Sequence, residues 1–145
     1  TGLVAGLASI TPAAGSVGPV GAVIIGVIAG SFCQWLSGVM KFRLKVDDSL
    51  DVFAVHGGGG ILGSLLVGAL AAPALGGLGL ADGVGIADQL GVQLLAVGVT
   101  AVWSAVASWA ILAVLRATIG LRVSEETEIE GLDITAHGER GYELT

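Results

Sequence analysis

Three long stretches without a fixed charge constrain this chain more than any other feature: residues 1–40, 52–81 and 89–115 contain no Asp, Glu, Lys or Arg. A helix crosses the hydrocarbon core of a bilayer with roughly 20 apolar residues, so each stretch can hold one crossing. Only 12% of all residues are charged, against about 25% in soluble domains. Strands of membrane barrels alternate apolar and polar residues over about ten positions, whereas these runs are apolar at both parities. Helices satisfy their own backbone hydrogen bonds in lipid. The expected fold is all-α, a polytopic bundle of transmembrane helices.

Punctuation along the chain sets the expected boundaries. Residues 1–11 read as the end of a partial helix, closed by a turn running from Thr11-Pro12 to Gly18-Pro19. The first full span is expected over 19–40, with Pro19 suited to the first helical turn. Lys41, Arg43 and Lys45 follow, and Asp47, Asp48 and Ser49 are placed to cap the next helix. A second span is expected over 51–72, a Gly-rich connection outside the membrane over 73–85, and a third span over 89–116. Residues 1–118 thus form the transmembrane part and 119–145 a tail. The chain lacks an initiator Met and a basic leader, and is expected to begin inside a larger protein.

Basic residues flank the first connection and the end of the last span, and the 73–88 connection has none. Positive-inside logic therefore predicts a cytoplasmic first loop and a cytoplasmic C-terminus in a multi-pass plasma or inner membrane protein. The net charge of -6 comes largely from the tail, where 7 of the 12 acidic residues occupy the last 21 positions. Cys33 is the single cysteine, so no internal disulfide forms. Small residues recur four apart at Gly2/Gly6, Gly26/Gly30, Gly59/Gly63 and Ser64/Gly68, a spacing that lets helix backbones approach closely.

His56 is the titratable group expected inside a span. Intramembrane ionisable residues face a cavity or a partner, and a histidine can also be hydrogen-bonded in a bundle core. The Gly57–Gly60 run beside it favours the former, because bare backbone leaves room for a helix or a lumen. A neutral imidazole can pass hydrogen bonds to a small polar solute without presenting charge. Asp51 reads either as a carboxylate that orients backbone or stabilises a cation, or as an N-terminal helix charge. Gln89, Gln93, Thr100 and Ser104 share a broad face and are expected to bond across helices. Trp35 and Trp109 read as interfacial anchors and Trp103 as core. No phosphate-binding loop, nucleophile elbow, metal-spaced Cys/His cluster or basic nucleic-acid patch is present, so neither enzyme chemistry nor a cofactor is expected.

The tail, SEETEIEGLDITAHGERGYELT, interrupts its acidity with Ile129, Leu132, Ile134 and Tyr142. It reads either as a solvated tail or as a docking segment with a defined turn, in which Thr135 could accept a phosphate.

Three stretches carry a resemblance: ASITPAAGSVGPVGAVIIGVIAG, VDDSLDVFAVHGGGGILGSLLVGALA and GLRVSEETEIEGLDITAHGERGY. Together they resemble successive signatures of the ammonium transporter family, which includes the Rhesus proteins, in its microbial and plant branch. The resemblance implies a homotrimer with eleven helices and a pore per subunit, of which this chain would supply the end of helix eight, helices nine to eleven and the tail. It implies that His56 is one of two pore histidines, that Val52 lies by the lower pore, and that Asp51 is the acidic residue at the start of that helix. Thr11 would lie near the outer vestibule. Gly131, Asp133, Thr135, His137, Gly138 and Tyr142 would belong to a regulatory tail, with Thr135 at a position phosphorylated in plant relatives.

The implied substrate is ammonium or ammonia, with methylammonium as an analogue. A PII-type regulatory protein is an implied microbial partner, and nucleic acid is not. Gly141 departs from the Ala usual before the final Tyr. The segment carrying the first seven helices and the partner histidine is absent, so the chain is not expected to conduct alone. An ammonium sensor of the same fold, or a truncated product without function, are the alternatives.

Overall fold

The computed structural model describes residues 2–141, and they are helical throughout their ordered elements. Six α-helices follow in chain order: α1 (Gly2–Ile10), α2 (Pro19–Gly38), α3 (Gly59–Leu70), α4 (Ile86–Thr118), α5 (Glu125–Glu130) and α6 (Leu132–His137). Two wide, π-helical turns extend the second and third: Val39–Arg43 continues α2, and Phe53–Gly58 leads into α3. With those extensions, Pro19–Arg43, Phe53–Leu70 and Ile86–Thr118 are long and apolar enough to cross a membrane. The π-helical turns were not foreseen. They keep Lys41 and Arg43 helical, where the sequence had placed a loop.

The chain divides into two compact units, Thr1–Ala101 and Val102–Thr145. In the first, α1, α2 and α3 pack against one another around Ala5, Cys33 and Val55, with Ala8 and Phe32 alongside. The buried positions of α2 are Gly21, Ile25, Ala29, Cys33 and Ser37, a row with a step of four that forms one continuous ridge. α1 contributes Ala5 and Ser9, again four apart. The ridge is built from small residues, and the largest fully buried side chains are only Ile25, Cys33 and Ser9. Close backbone approach is how helices associate in lipid, where apolar burial gives no net drive between them.

Glycine makes that approach possible at particular crossings. A Cβ on Gly63 would lie 2.0 Å from the Ser9 carbonyl oxygen of α1, and one on Gly59 would lie 2.8 Å from the Ser9 hydroxyl. The pairs Gly2/Gly6 and Gly26/Gly30 face open space instead. Of the small-residue spacings in the sequence, Gly59/Gly63 therefore marks a helix contact within this chain. Ser64/Gly68 does so through Gly68, which Gln93 covers.

Many large apolar side chains remain exposed, among them Val23, Val27, Leu95 and Val99. A water-soluble monomer rarely presents so much contiguous apolar surface. In the second unit, α4 runs on past Val102, followed by α5 and α6, which pack on each other. Trp103, read from sequence as core, is 73% exposed. The apolar window of α4 is unburied.

Candidate functional site

The connection between α2 and α3 organises the region around His56. Asp48 accepts hydrogen bonds from the backbone N–H groups of Val52 at 2.9 Å and Phe53 at 2.8 Å, one to each carboxylate oxygen. These are orphan donors of a helix start, and satisfying them is what a cap does. Asp48 was one of three capping candidates, and the structure singles it out. Asp47 instead accepts a bond from Ser49 at 3.4 Å.

Asp51 stands immediately before the first helical residue, Val52. Its φ of 57° places it in the left-handed region. Its backbone carbonyl accepts the Val55 N–H at 2.9 Å. Its carboxylate turns back to α2, where the Ser37 hydroxyl donates to it and the Lys41 ammonium lies 2.9 Å away. The side chain is 17% exposed. The Ser37 hydrogen bond, and then that of Lys41, hold its carboxyl below the usual carboxylate range. Ser37, whose hydroxyl is buried on the α2 ridge, is a site residue that sequence reasoning missed. The signal was its place four residues after Cys33 on that ridge.

His56 lies in the π-helical turn Phe53–Gly58, and its side chain is exposed rather than sealed in the three-helix core. No hydrogen bond to its ring occurs among the described residues. Val52, 53% exposed, and Phe53 lie one turn before it on the open side. The neighbours Ala54 and Val55 are buried. π-helical turns are uncommon and recur at functional sites.

The glycine run divides its work. Gly57 underlies the Phe53 ring, with a would-be Cβ 3.3 Å from Cδ2. Gly58 meets Leu36 and Phe32 of α2, and Gly59 meets Ser9 and Cys33. Gly60 faces open space. The same four residues thus give room both to a neighbouring helix and to an open face, the face that His56 shares.

At the far end of the helices, Thr11 opens a 3-10 turn and its hydroxyl donates to the Leu7 carbonyl at 2.8 Å. That turn leads into a segment that rests on the 73–79 connection. The Leu78 N–H donates to the Ser16 carbonyl at 3.0 Å, and a Cβ on Gly18 would lie 2.4 Å from the Gly76 backbone. Gln93 brings its Oε1 against Gly68, buried and without a hydrogen-bond partner among the described residues. Thr100 and Ser104 are exposed and make no side-chain bond among the described residues.

The tail holds defined structure. Ser124 caps α5, accepting the Thr127 N–H at 3.3 Å. Gly131, at φ 99°, sets the break between α5 and α6. Within α6, the Thr135 hydroxyl donates to the Gly131 carbonyl at 3.0 Å, and Asp133 lies in its first turn. His137 ends it, and Gly138 at φ 66° supplies the left-handed residue common at helix ends. Tyr142 lies outside the described residues. Among the described residues no group of His, Cys, Asp and Glu side chains is placed to hold a metal.

The Ammonium Transporter Family profile matches residues 1–142. An ammonium transporter of Aquifex aeolicus is 45% identical over 145 residues, covering 99% of this chain and 34% of its own length. Ammonium transporter Amt1 of Archaeoglobus fulgidus is 42% identical over 143 residues, covering 98% of this chain and 36% of its own. Among solved structures, a protein named Sensor Amt Protein superposes with a TM-score of 0.83 at 36% identity, over 95% of this chain and 33% of that one. The chain spans about a third of the length of the relatives it matches.

Proposed function

This chain belongs to the ammonium transporter family, and from that premise we propose that it supplies the C-terminal helices and tail of a membrane protein that conducts ammonium or ammonia. The observation that carries the reading is the place of His56. It sits on a membrane-spanning helix, exposed on a face that carries Val52 and Gly60, where bare backbone and apolar side chains leave an open side.

A full charge entering low-dielectric surroundings costs several kcal/mol even after relaxation. A narrow apolar path therefore favours the neutral amine, and a neutral imidazole offers it one donor and one acceptor. In this reading Val52 lines the lower part of the path and Thr11 belongs to the outer vestibule. The partner histidine is supplied by the remainder of the protein. Residues 1–118 make up the transmembrane part and 119–145 a cytoplasmic tail, with the basic 41–45 segment on the same side. The complete protein is a homotrimer of the cell membrane. The α5–α6 tail, with Gly131, Asp133, Thr135, His137, Gly138 and Tyr142, docks on a neighbouring subunit or receives a PII-type regulator. A phosphate on Thr135 would remove the hydroxyl's bond to Gly131 and add charge to a short helix.

The likeness to a protein named as a sensor favours a second reading, in which the same ammonium site serves signalling. Uptake separates the two. Methylammonium uptake by the complete protein should fall or lose selectivity in His56→Ala, and unchanged transport and selectivity would remove His56 from the path. Binding of methylammonium without flux would favour the sensor.

A further inference from the structure

Both polar contacts of the Asp51 carboxylate converge on its Oδ1 and run to α2 and its continuation. Ser37 lies on the buried ridge of α2, and Lys41 lies in the π-helical turn that continues it. Asp51 itself stands two residues before the second π-helical turn, in a left-handed conformation that an Asp adopts at some cost. Its carbonyl receives the Val55 N–H from inside that turn. One residue thus joins two wide turns: its side chain holds the end of α2, and its backbone holds the start of the turn bearing His56.

The register of that turn decides which side chain faces out. An α-helix advances about 100° per residue, so closing a wide turn by one residue would rotate everything before it by about that angle. Val55, now buried, is the immediate neighbour of exposed His56. A one-residue change of register exchanges such neighbours. Asp48 secures the first two N–H groups of the segment without fixing its rotation relative to α2. The Asp51 contacts supply that second constraint.

We propose that Ser37, Asp51 and Lys41 form a positioning latch that fixes the wide turn against α2 and thereby sets the face on which His56 stands. Asp51 is then a positioning residue, and its charge serves a helix-to-helix tie. The functional consequence rests on the conduit reading of His56; the structural claim does not.

The test uses the complete protein in a cysteine-free background, with single cysteines at 55 and at 56, labelled in membranes by a small methanethiosulfonate reagent. The cysteine at 56 should react at least about fivefold faster than that at 55. Adding Asp51→Asn should reverse or erase that ratio, and the exchanged pair Lys41→Asp with Asp51→Lys should restore it. Should Asp51→Asn fail to insert, Ser37→Ala and Lys41→Met each remove one arm and should lower the ratio in part. A ratio unchanged by Asp51→Asn, or by both milder variants, overturns the latch. Loss of the labelling effect with intact dependence of uptake on His56 refutes the latch alone. A labelling change with uptake indifferent to His56→Ala refutes the conduit reading alone.

Discussion

Replacing Gly63 by Ala puts the closest helix contact of this fold to a quantitative test. The added Cβ would sit 2.0 Å from the Ser9 carbonyl oxygen, 2.8 Å from its carbon and 3.1 Å from its Cα. All three atoms are backbone, so no rotamer change relieves the clash. Reaching an ordinary 3.4 Å contact requires α1 to retreat by about 1.4 Å, and gaps of even 0.5–1 Å forfeit a quarter to a half of the dispersion energy along the seam. Overpacking of this kind costs about 1–3 kcal/mol.

Gly60→Ala is the internal comparison. Nothing lies within 4 Å of its Cβ, and Ala is favoured over Gly inside a helix by about 0.5–1 kcal/mol. Gly58→Ala should fall between them, since its 2.5 Å neighbour is the terminal Leu36 Cδ2, which can swing away. The assay is the fraction of folded complete protein that survives heating in detergent. The expected order is Gly60→Ala, then Gly58→Ala, then Gly63→Ala as the least stable. Gly63→Ala surviving as well as Gly60→Ala would refute the close approach of α1 and α3.

Two further outcomes follow from the α2–α3 connection. Asp48→Ala should cost about 1–2 kcal/mol as a lost cap and raise amide exchange at Val52 and Phe53 about tenfold, whereas Asp47→Ala should leave both amides unchanged; equal effects would dismiss Asp48 as the cap. Asp51, held below the usual carboxylate range by Ser37 and then Lys41, has a folded-state value lower than its unfolded one. Its contribution is therefore full above the unfolded value of about 3.9 and is lost as pH falls through the folded value. The heat-stability gap between the parent and Asp51→Asn should be full at neutral pH and close under strong acid, and a gap constant across that range would exclude an ionised Asp51 from the tie.

The positions of the helices were legible from charge alone, because a bilayer tolerates so few ionised groups that their gaps outline the spans. α4 was expected over 89–116 and runs Ile86–Thr118; the second span was expected from 51 and begins after Asp51. The end of the first span was misjudged because a π-helical turn carries no composition signal: it is one more residue in a turn, set by what the turn packs against. The tail's turn at Gly131 was legible as a possibility beside a solvated tail, and the structure holds two short helices there.

The sequence by itself therefore determined the class of solvent, the number of spans and the presence of an imidazole among glycines, since each follows from side-chain chemistry read along one dimension. Tertiary structure alone decided that Asp48 caps while Asp51 reaches back to Ser37 and Lys41, that Gly59 and Gly63 meet α1 while Gly60 stays open, and that Trp103 is uncovered in this chain. The physical reason is common to all of them. Hydropathy is a property of a residue, but the partner of a carboxylate and the neighbour of a missing Cβ are properties of where two distant helices cross.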